Sequence, residues 1–527
     1  MQPKRLFLYV PLCALLCASY GMAHQETEQL GQVHFVVSCS TEAQPQFDRA
    51  IALLHSFWYS EAVKAFTAVT ATDPGCAMGS WGIAMSLWYP LWQPPSEAML
   101  KQGTEAVTQA RAIGGKTARE QEYIAAIEVF YQDWQQRDHR TRALAYEQAM
   151  ERLYARYPDD REAAVFYALA LNATAQSSDK TYANQLKATA ILEKVFVEAP
   201  NHPGVAHYLI HSYDYPALAS QGLPAARRYA QIAPSAPHAL HMPSHIFTRQ
   251  GLWQESITSN NDSATAAKEH NSVFEQLHAL DYLAYAYLQS AQDADAKRVL
   301  DERNALVQAD LENFASAYAF AAIPARYTLE RRRWSEAAAL APHPSKVKYS
   351  EAMTYFARAI GAARSGNATN ARADVDTLQA LTTALRDAKQ SYWAEQVEIQ
   401  HRVAAAWLAH AEGKPEEALR LMRAAVELED ATEKNPVTPG PILPARELLG
   451  DLLLELNDPV QAMQEFETSI RKEPNRFNGL YGAARAAERA GQKARAKGYY
   501  DQVVALCAHS DAARPELQHA RAFLAQP

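Results

Sequence analysis

His207 and His211 are followed 34 residues later by His241 and His245, a second pair with the same internal spacing. A separation of four puts both members of a pair on one helix face. Thirty-four residues is the length of one helix–turn–helix repeat of the kind that stacks into solenoids. The rest of the chain keeps that company. Apolar residues recur at helical spacing amid abundant Ala, Leu, Glu and Arg, and few segments alternate as half-buried strands do. Ala62, Ala188 and Ala462 are each followed by a proline 12 residues on, Pro74, Pro200 and Pro474. Such a proline cannot continue the second helix and marks the step to the next unit. Gly251, Gly366, Gly413 and Gly491 fall where the turn between paired helices belongs.

Unit by unit, the pattern resembles the tetratricopeptide repeat (TPR). Tyr59, Ala62, Phe66 and Pro74 occupy its places in an early unit. Gly251-Leu-Trp253, Arg332-Arg-Trp334 and Gly413-Lys-Pro open later second helices, and Gly450, Ala462 and Phe466 define a late unit. The expected fold is all-α, a TPR-type α-solenoid: a right-handed superhelix of antiparallel helix pairs. One pair cannot bury its apolar face, so stacked neighbours share a continuous core. The array is expected over 47–434, after an N-terminal segment 24–46, with further TPR repeats over 445–527. Residues 97–172 read as helical but keep the pattern poorly. Four prolines between Asn435 and Pro444 exclude a helix there, which reads as a linker or an ordered loop.

The first residues set the expected compartment. Lys4 and Arg5 precede an apolar run from Leu6 to Cys17, then Gly21-Met22-Ala23, the pattern of a secretory signal peptide over 1–23. A mature chain starting at His24 is expected to be periplasmic or secreted and, with no long apolar run, soluble. Cys39, Cys76 and Cys507 remain, and in an oxidising compartment Cys39–Cys76 is the expected disulfide. Loss of Lys4 and Arg5 takes the formal charge from −8 to −10. That mildly acidic, mixed surface argues against nucleic acid and anionic lipid partners.

Three strings carry a closer resemblance. They are His55-Ser-Phe-Trp-Tyr59 with Trp81-Gly-Ile-Ala-Met-Ser86; His207-Tyr-Leu-Ile-His211 with His238-Ala-Leu-His-Met-Pro-Ser-His-Ile-Phe247; and Pro444-Ala-Arg-Glu-Leu-Leu-Gly450 with Tyr481-Gly-Ala-Ala-Arg485. On these the chain resembles a group of exported bacterial TPR proteins with no assigned reaction. The resemblance implies fold and export, not an activity.

Counting from Pro234, His238, His241 and His245 take the second, fifth and ninth places of a repeat; from Pro200, His207 and His211 take the fifth and ninth. Counting back from Ala296 gives His278 and Asp281 the second and fifth. The TPR resemblance implies that these places line a concave groove. One reading is a metal site: imidazole is the common ligand for zinc, copper, iron and nickel, and Asp281 would add an oxygen. A second is a structural polar network, and a third is ligand binding or acid–base use. Glu275 and His278 form an E-x-x-H pair without an evident second copy. Asn260, Asn261 and Asp262 on the neighbouring helix either hold the histidines in place or face solvent.

By the same register Trp81, Met85, Trp88 and Tyr89, with His55 near the end of the preceding first helix, are candidates for a partner-binding groove suited to an extended peptide or a sugar face, against the alternative that they are core. Arg446, Arg476 and Arg485 could pair with carboxylates of a partner, but pairing with Glu447 and Glu488 of the chain itself is the favoured expectation. No H-E-x-x-H, phosphate loop or dinucleotide fingerprint occurs. The sequence therefore favours an exported scaffold binding a peptide or protein partner, with a metal ion at the histidines as an added feature. The alternatives are a metal-dependent enzyme and a periplasmic metal-binding protein. Oligomeric state is left open.

Overall fold

The computed structural model describes residues 28–91, 93–306, 309–511 and 513–526. The expected signal segment 1–23 and the start at His24 lie outside the described residues. Helices run from Ala43–His55 to Pro515–Leu524, each packed on the next, with no strand among the described residues. The poorly patterned stretch also forms helices, Glu97–Ile113, Ala118–Tyr131, His139–Arg156 and Arg161–Thr174. No described helix is long and apolar enough to cross a membrane.

One turn geometry recurs. Leu252 N–H donates to Phe247 O, Gln292 N–H to Tyr287 O and Lys414 N–H to Ala409 O, at 2.8 to 2.9 Å. The residue before each donor, Gly251, Ala291 or Gly413, holds φ of +63°, +55° and +74°. This reach-back satisfies the last carbonyls of the helix and fixes the angle to its successor. Between helices, small residues give aromatics room. A Cβ on Gly482 would stand 2.3 Å from Phe466, and one on Gly450 2.7 Å from the same ring. Fully burying such a phenylalanine contributes about 1.5–3 kcal/mol.

Residues 28–42 form an irregular strap rather than a repeat. Gln32 N–H donates to Asn201 O at 2.9 Å, and Phe35 packs against Phe47, Trp81 and Tyr123. A disulfide joins Cys39 to Cys76, with Cα atoms 4.9 Å apart. Cys507 is a buried free thiol.

Segments from the second half of the chain pack onto its middle helices. Residues 435–444 are an ordered, largely buried loop that Tyr282 holds at Thr438 O (3.1 Å) and Arg326 at Gly440 O and Pro441 O (2.8 Å each). The C-terminal repeats fold back on the middle. Trp253 Nε1–H donates to Asn475 O at 2.7 Å, and a Cβ on Gly251 would lie 2.4 Å from Pro474 O. Arg476, fully buried, reaches Glu447 (2.7 Å), Glu330 (2.7 Å) and the Tyr285 hydroxyl (2.5 Å).

Packing among the N-terminal helices corrects the groove expectation. His55, Trp81, Met85 and Trp88 are buried, not groove-facing. Trp81 donates to Tyr123 O at 3.2 Å and Tyr146 caps Met85 Sδ at 3.5 Å, while Trp88 packs edge-on to Tyr146. Helix Ala77–Ser86 is buried on nearly every side, because the strap and Ala118–Tyr131 cover the face that the repeat register leaves open. Tyr89 alone of the five is half-buried and lines a cavity.

Candidate metal centre

Four helices meet at the histidines. His202 caps Pro203–Tyr213 by accepting Val205 N–H at Nδ1 (3.3 Å), and a proline at the first position presets the turn that carries His207 and His211. Pro243 removes a backbone donor and splits the next segment into Pro237–His241 and Pro243–Arg249. Met242 stays in helical conformation, so His241 and His245 still share a face. Helix Val273–Gln289 contributes His278.

All six histidines gather in two triads. His207, His211 and His238 form one; His241, His245 and His278 form the other, and within each a ligand atom from every member lies within 4.8 Å of the rest. The triads adjoin, with His211 and His245 ring centroids 5.9 Å apart. Burial, reinforced by the neighbouring imidazoles, pushes His207, His211, His241 and His278 well below the usual histidine value. Burial also lowers His245 to about 4 against the opposing pull of Asp214. These imidazoles are neutral at neutral pH, the form that binds metals.

Hydrogen bonds then assign the tautomers. Asn260 Nδ2 donates to Ser256 O at 2.7 Å, which turns its Oδ1 toward His241 Nδ1 at 2.6 Å. An oxygen there accepts, so the His241 proton is on Nδ1. His245 Nδ1 lies 2.9 Å from Asp214 Oδ2. Burial would raise the Asp214 carboxyl, but Lys434 (2.6 Å) and Arg249 (2.9 Å) outweigh it and hold it well below the usual range. His245 therefore also carries its proton on Nδ1. The two Nε2 atoms face each other at 3.0 Å, each presenting a lone pair. Two imidazole nitrogens on one ion, with bonds of about 2.0–2.1 Å, stand roughly 3 Å apart. In the other triad His207 donates from Nδ1 to His55 O (2.6 Å), and its Nε2 meets His211 Nε2 at 3.1 Å. One proton on His211 satisfies that contact, so the first triad is less demanding than the second.

A third group, His55, Glu162 and His202, shows the contrast. Each imidazole donates from Nε2 to a Glu162 oxygen at 2.8 Å. His55 Nδ1 accepts from the Tyr208 hydroxyl (2.9 Å), and His202 Nδ1 caps its helix. Burial would raise Glu162, but the two histidines overcome it and hold the carboxyl well below its usual value. Every proton and lone pair in this clasp has a use, so it reads as structural.

Asp281 departs from its expected place. It is buried, with Oδ1 3.4 Å from Arg326 Nε, and belongs to neither triad. The guanidinium from helix Phe314–Leu329 supplies the charge that a ligand role would need from a metal. Glu275 likewise approaches His238 Nδ1 (3.7 Å) instead of completing an E-x-x-H unit with His278. Asn260 holds His241 as the sequence allowed, whereas Asn261 donates to the Tyr287 hydroxyl at 3.1 Å. Sequence reading missed Asp214, Arg249, Lys434 and Tyr282. Asp214 at three residues after His211 and Tyr282 at four after His278 are legible as helix neighbours; Lys434 carries no local signal. Beside the centre, a cavity of about 20 Å³ bounded by His211, Asp214, Tyr215 and Lys434 has room for one water-sized species.

No protein-family model and no curated protein matches this sequence. Among solved structures the chain is similar to human IFIT1, a dimer with m7Gppp-AAAA (12% identity, 82% of this chain and 90% of that one, TM-score 0.41). It is also similar to yeast Tom70 (11%, 92% and 95%, 0.36) and to a tetratricopeptide repeat protein of Parabacteroides merdae (15%, 66% and 98%, 0.26). Consecutive packed helix pairs make the architecture all-helical and TPR-like.

Proposed function

We propose that this chain is an exported TPR-like protein that holds a transition-metal ion in its buried histidine centre, the ion seated first among His241, His245 and His278. The carrying observation is the pair of neutral imidazoles whose Nε2 lone pairs oppose each other at 3.0 Å with both Nδ1 protons committed. A cation between them turns that repulsion into two bonds. The donors are neutral nitrogens of buried imidazoles, which suits zinc, copper, nickel or iron more than calcium or magnesium. Asp214 and Asn260 orient the ligands, as carboxylates and carbonyls beside metal-bound histidines do.

The helix-pair fold is consistent with a protein-binding scaffold. A peptide in the inner groove, however, would compete with residues 435–444 for the same surface, so the metal reading stands first. Elemental analysis of protein purified without chelator, followed by calorimetric titration of stripped protein with zinc, copper, nickel and iron(II), tests it. The expected result is at least one tightly bound ion per chain, lost in His241→Ala and His245→Ala. Metal-free protein whose melting is unchanged by every ion would refute the proposal.

A further inference from the structure

A cavity of about 230 Å³ lies between the first helix pair, the residues after helix Ala77–Ser86, and the starts of helices Val273–Gln289 and Phe314–Leu329. Its wall is aromatic: Trp58, Tyr59, Tyr89, Phe274 and Phe314. Tyr59 and Tyr89 stack with centroids 4.3 Å apart, and Phe57 continues the column at 5.1 Å from Tyr59. Phe57 also stacks on His211 and His238, so it separates the cavity from the first triad. Backbone φ is +54° at Phe57 and +50° at Tyr89, a conformation the surrounding packing must hold for side chains of that size.

One acidic side chain lines this wall. Glu275 is buried, its Oε2 has no hydrogen-bond partner among the described residues, and its ionic neighbour is the His238 imidazole at 3.7 Å. Among the described residues no lysine or arginine lines the cavity. The buried Tyr59 hydroxyl also lacks a hydrogen-bond partner among the described residues. A carboxylate taken from water without a fixed cation is costly. Aromatic walls attract cations through their quadrupoles, and a cage of several rings with one acid is the arrangement that recognises alkylated ammonium groups.

We propose that this cavity binds a compact organic ammonium ion, its methyl or methylene groups against the aromatic wall and its positive centre toward Glu275. Charge complementarity selects this occupant over a neutral apolar one. The cavity, its acid and its rings are complete without the metal.

Choline and its uncharged carbon analogue 3,3-dimethyl-1-butanol form the test, titrated calorimetrically into metal-stripped and metal-loaded full-length protein. Choline is expected to bind both forms at least about tenfold more tightly than the alcohol. Glu275→Gln, checked for native circular dichroism and melting, is expected to lose about tenfold or more of that affinity. Equal affinity for the two probes, unchanged affinity in Glu275→Gln, or no binding of choline at millimolar concentration would each overturn it. Reduced metal content in Glu275→Gln without choline binding would overturn it too and make Glu275 a metal ligand. Choline binding by protein that takes up no metal would keep this inference while the metal proposal fails. Displacement of bound choline by phosphatidylcholine vesicles would support it with a lipid headgroup as source; binding without displacement would support it with a free solute.

Discussion

His241 Nε2 and His245 Nε2 face each other at 3.0 Å while Asn260 and Asp214 hold the opposite ring nitrogens. Two helix segments and two orienting groups thus converge to aim lone pairs at one point. A ligand that binds only the folded state stabilises it by mass action, about 2.7 kcal/mol at a hundredfold excess over Kd. Urea unfolding with and without saturating metal should show a gain of that order in wild type and none in His245→Ala. An equal gain in both would place the ion elsewhere.

The orientation of His241 gives a sharper prediction. Asn260→Ala removes the acceptor for the Nδ1 proton without touching either Nε2. Metal affinity should fall about 10–100-fold, as when the partner of a ligating imidazole is lost. The adjacent Asn261→Ala loses only a bond to the Tyr287 hydroxyl and should bind as wild type. Competition against a calibrated chelator measures both; parallel losses would mean a general effect on the helix Trp253–Glu269.

Arg476 tests how the C-terminal repeats close on the middle. It is fully buried between Glu447 and Glu330. Removing one partner of a buried ionic group strands the others, at a cost of about 3–5 kcal/mol. Arg476→Met should lose stability on that scale in denaturant titration. A loss near that of an exposed ion pair, under about 1 kcal/mol, would show that this cluster does not latch the two halves.

The repeat logic was legible because it is local. Prolines and glycines punctuate helix pairs, and the 34-residue offset put four histidines on matching faces. The turns were half legible. Gly251 and Gly413 advertise a left-handed residue, but Phe57, Ala291, Arg332 and Asn457 adopt the same backbone with no glycine to signal it. Register placed Trp81 and Trp88 on a groove face. It could not tell that Phe35 and Tyr146 from distant segments would cover them. The same limit applied at the site. His238 and His278 followed from counting, whereas Lys434 reaches Asp214 across 220 residues of sequence, and Asp281 met Arg326 of helix Phe314–Leu329 instead of a metal.

Lys434 supplies a pH dependence whose sign is fixed. Burial lowers its ammonium to about 8 from 10.5, despite Asp214 pulling the other way and with Arg249 adding to the fall. Between those values the unfolded chain keeps the proton that the folded chain has released. The unfolded state binds more protons there, so stability contributed at this site rises as pH increases from about 8 to 10.5 and is absent below that window. A shift of that size corresponds to roughly 3 kcal/mol. Other groups titrate over the same range, so the quantity to measure is the difference between wild type and Lys434→Met. In metal-free protein, urea unfolding at closely spaced pH values should show wild type losing to Lys434→Met least at the alkaline end, with the gap changing in that direction by up to roughly 3 kcal/mol. A gap that is flat with pH, or that widens on alkalinisation, would mean that Lys434 is not held as a strained cation beside Asp214.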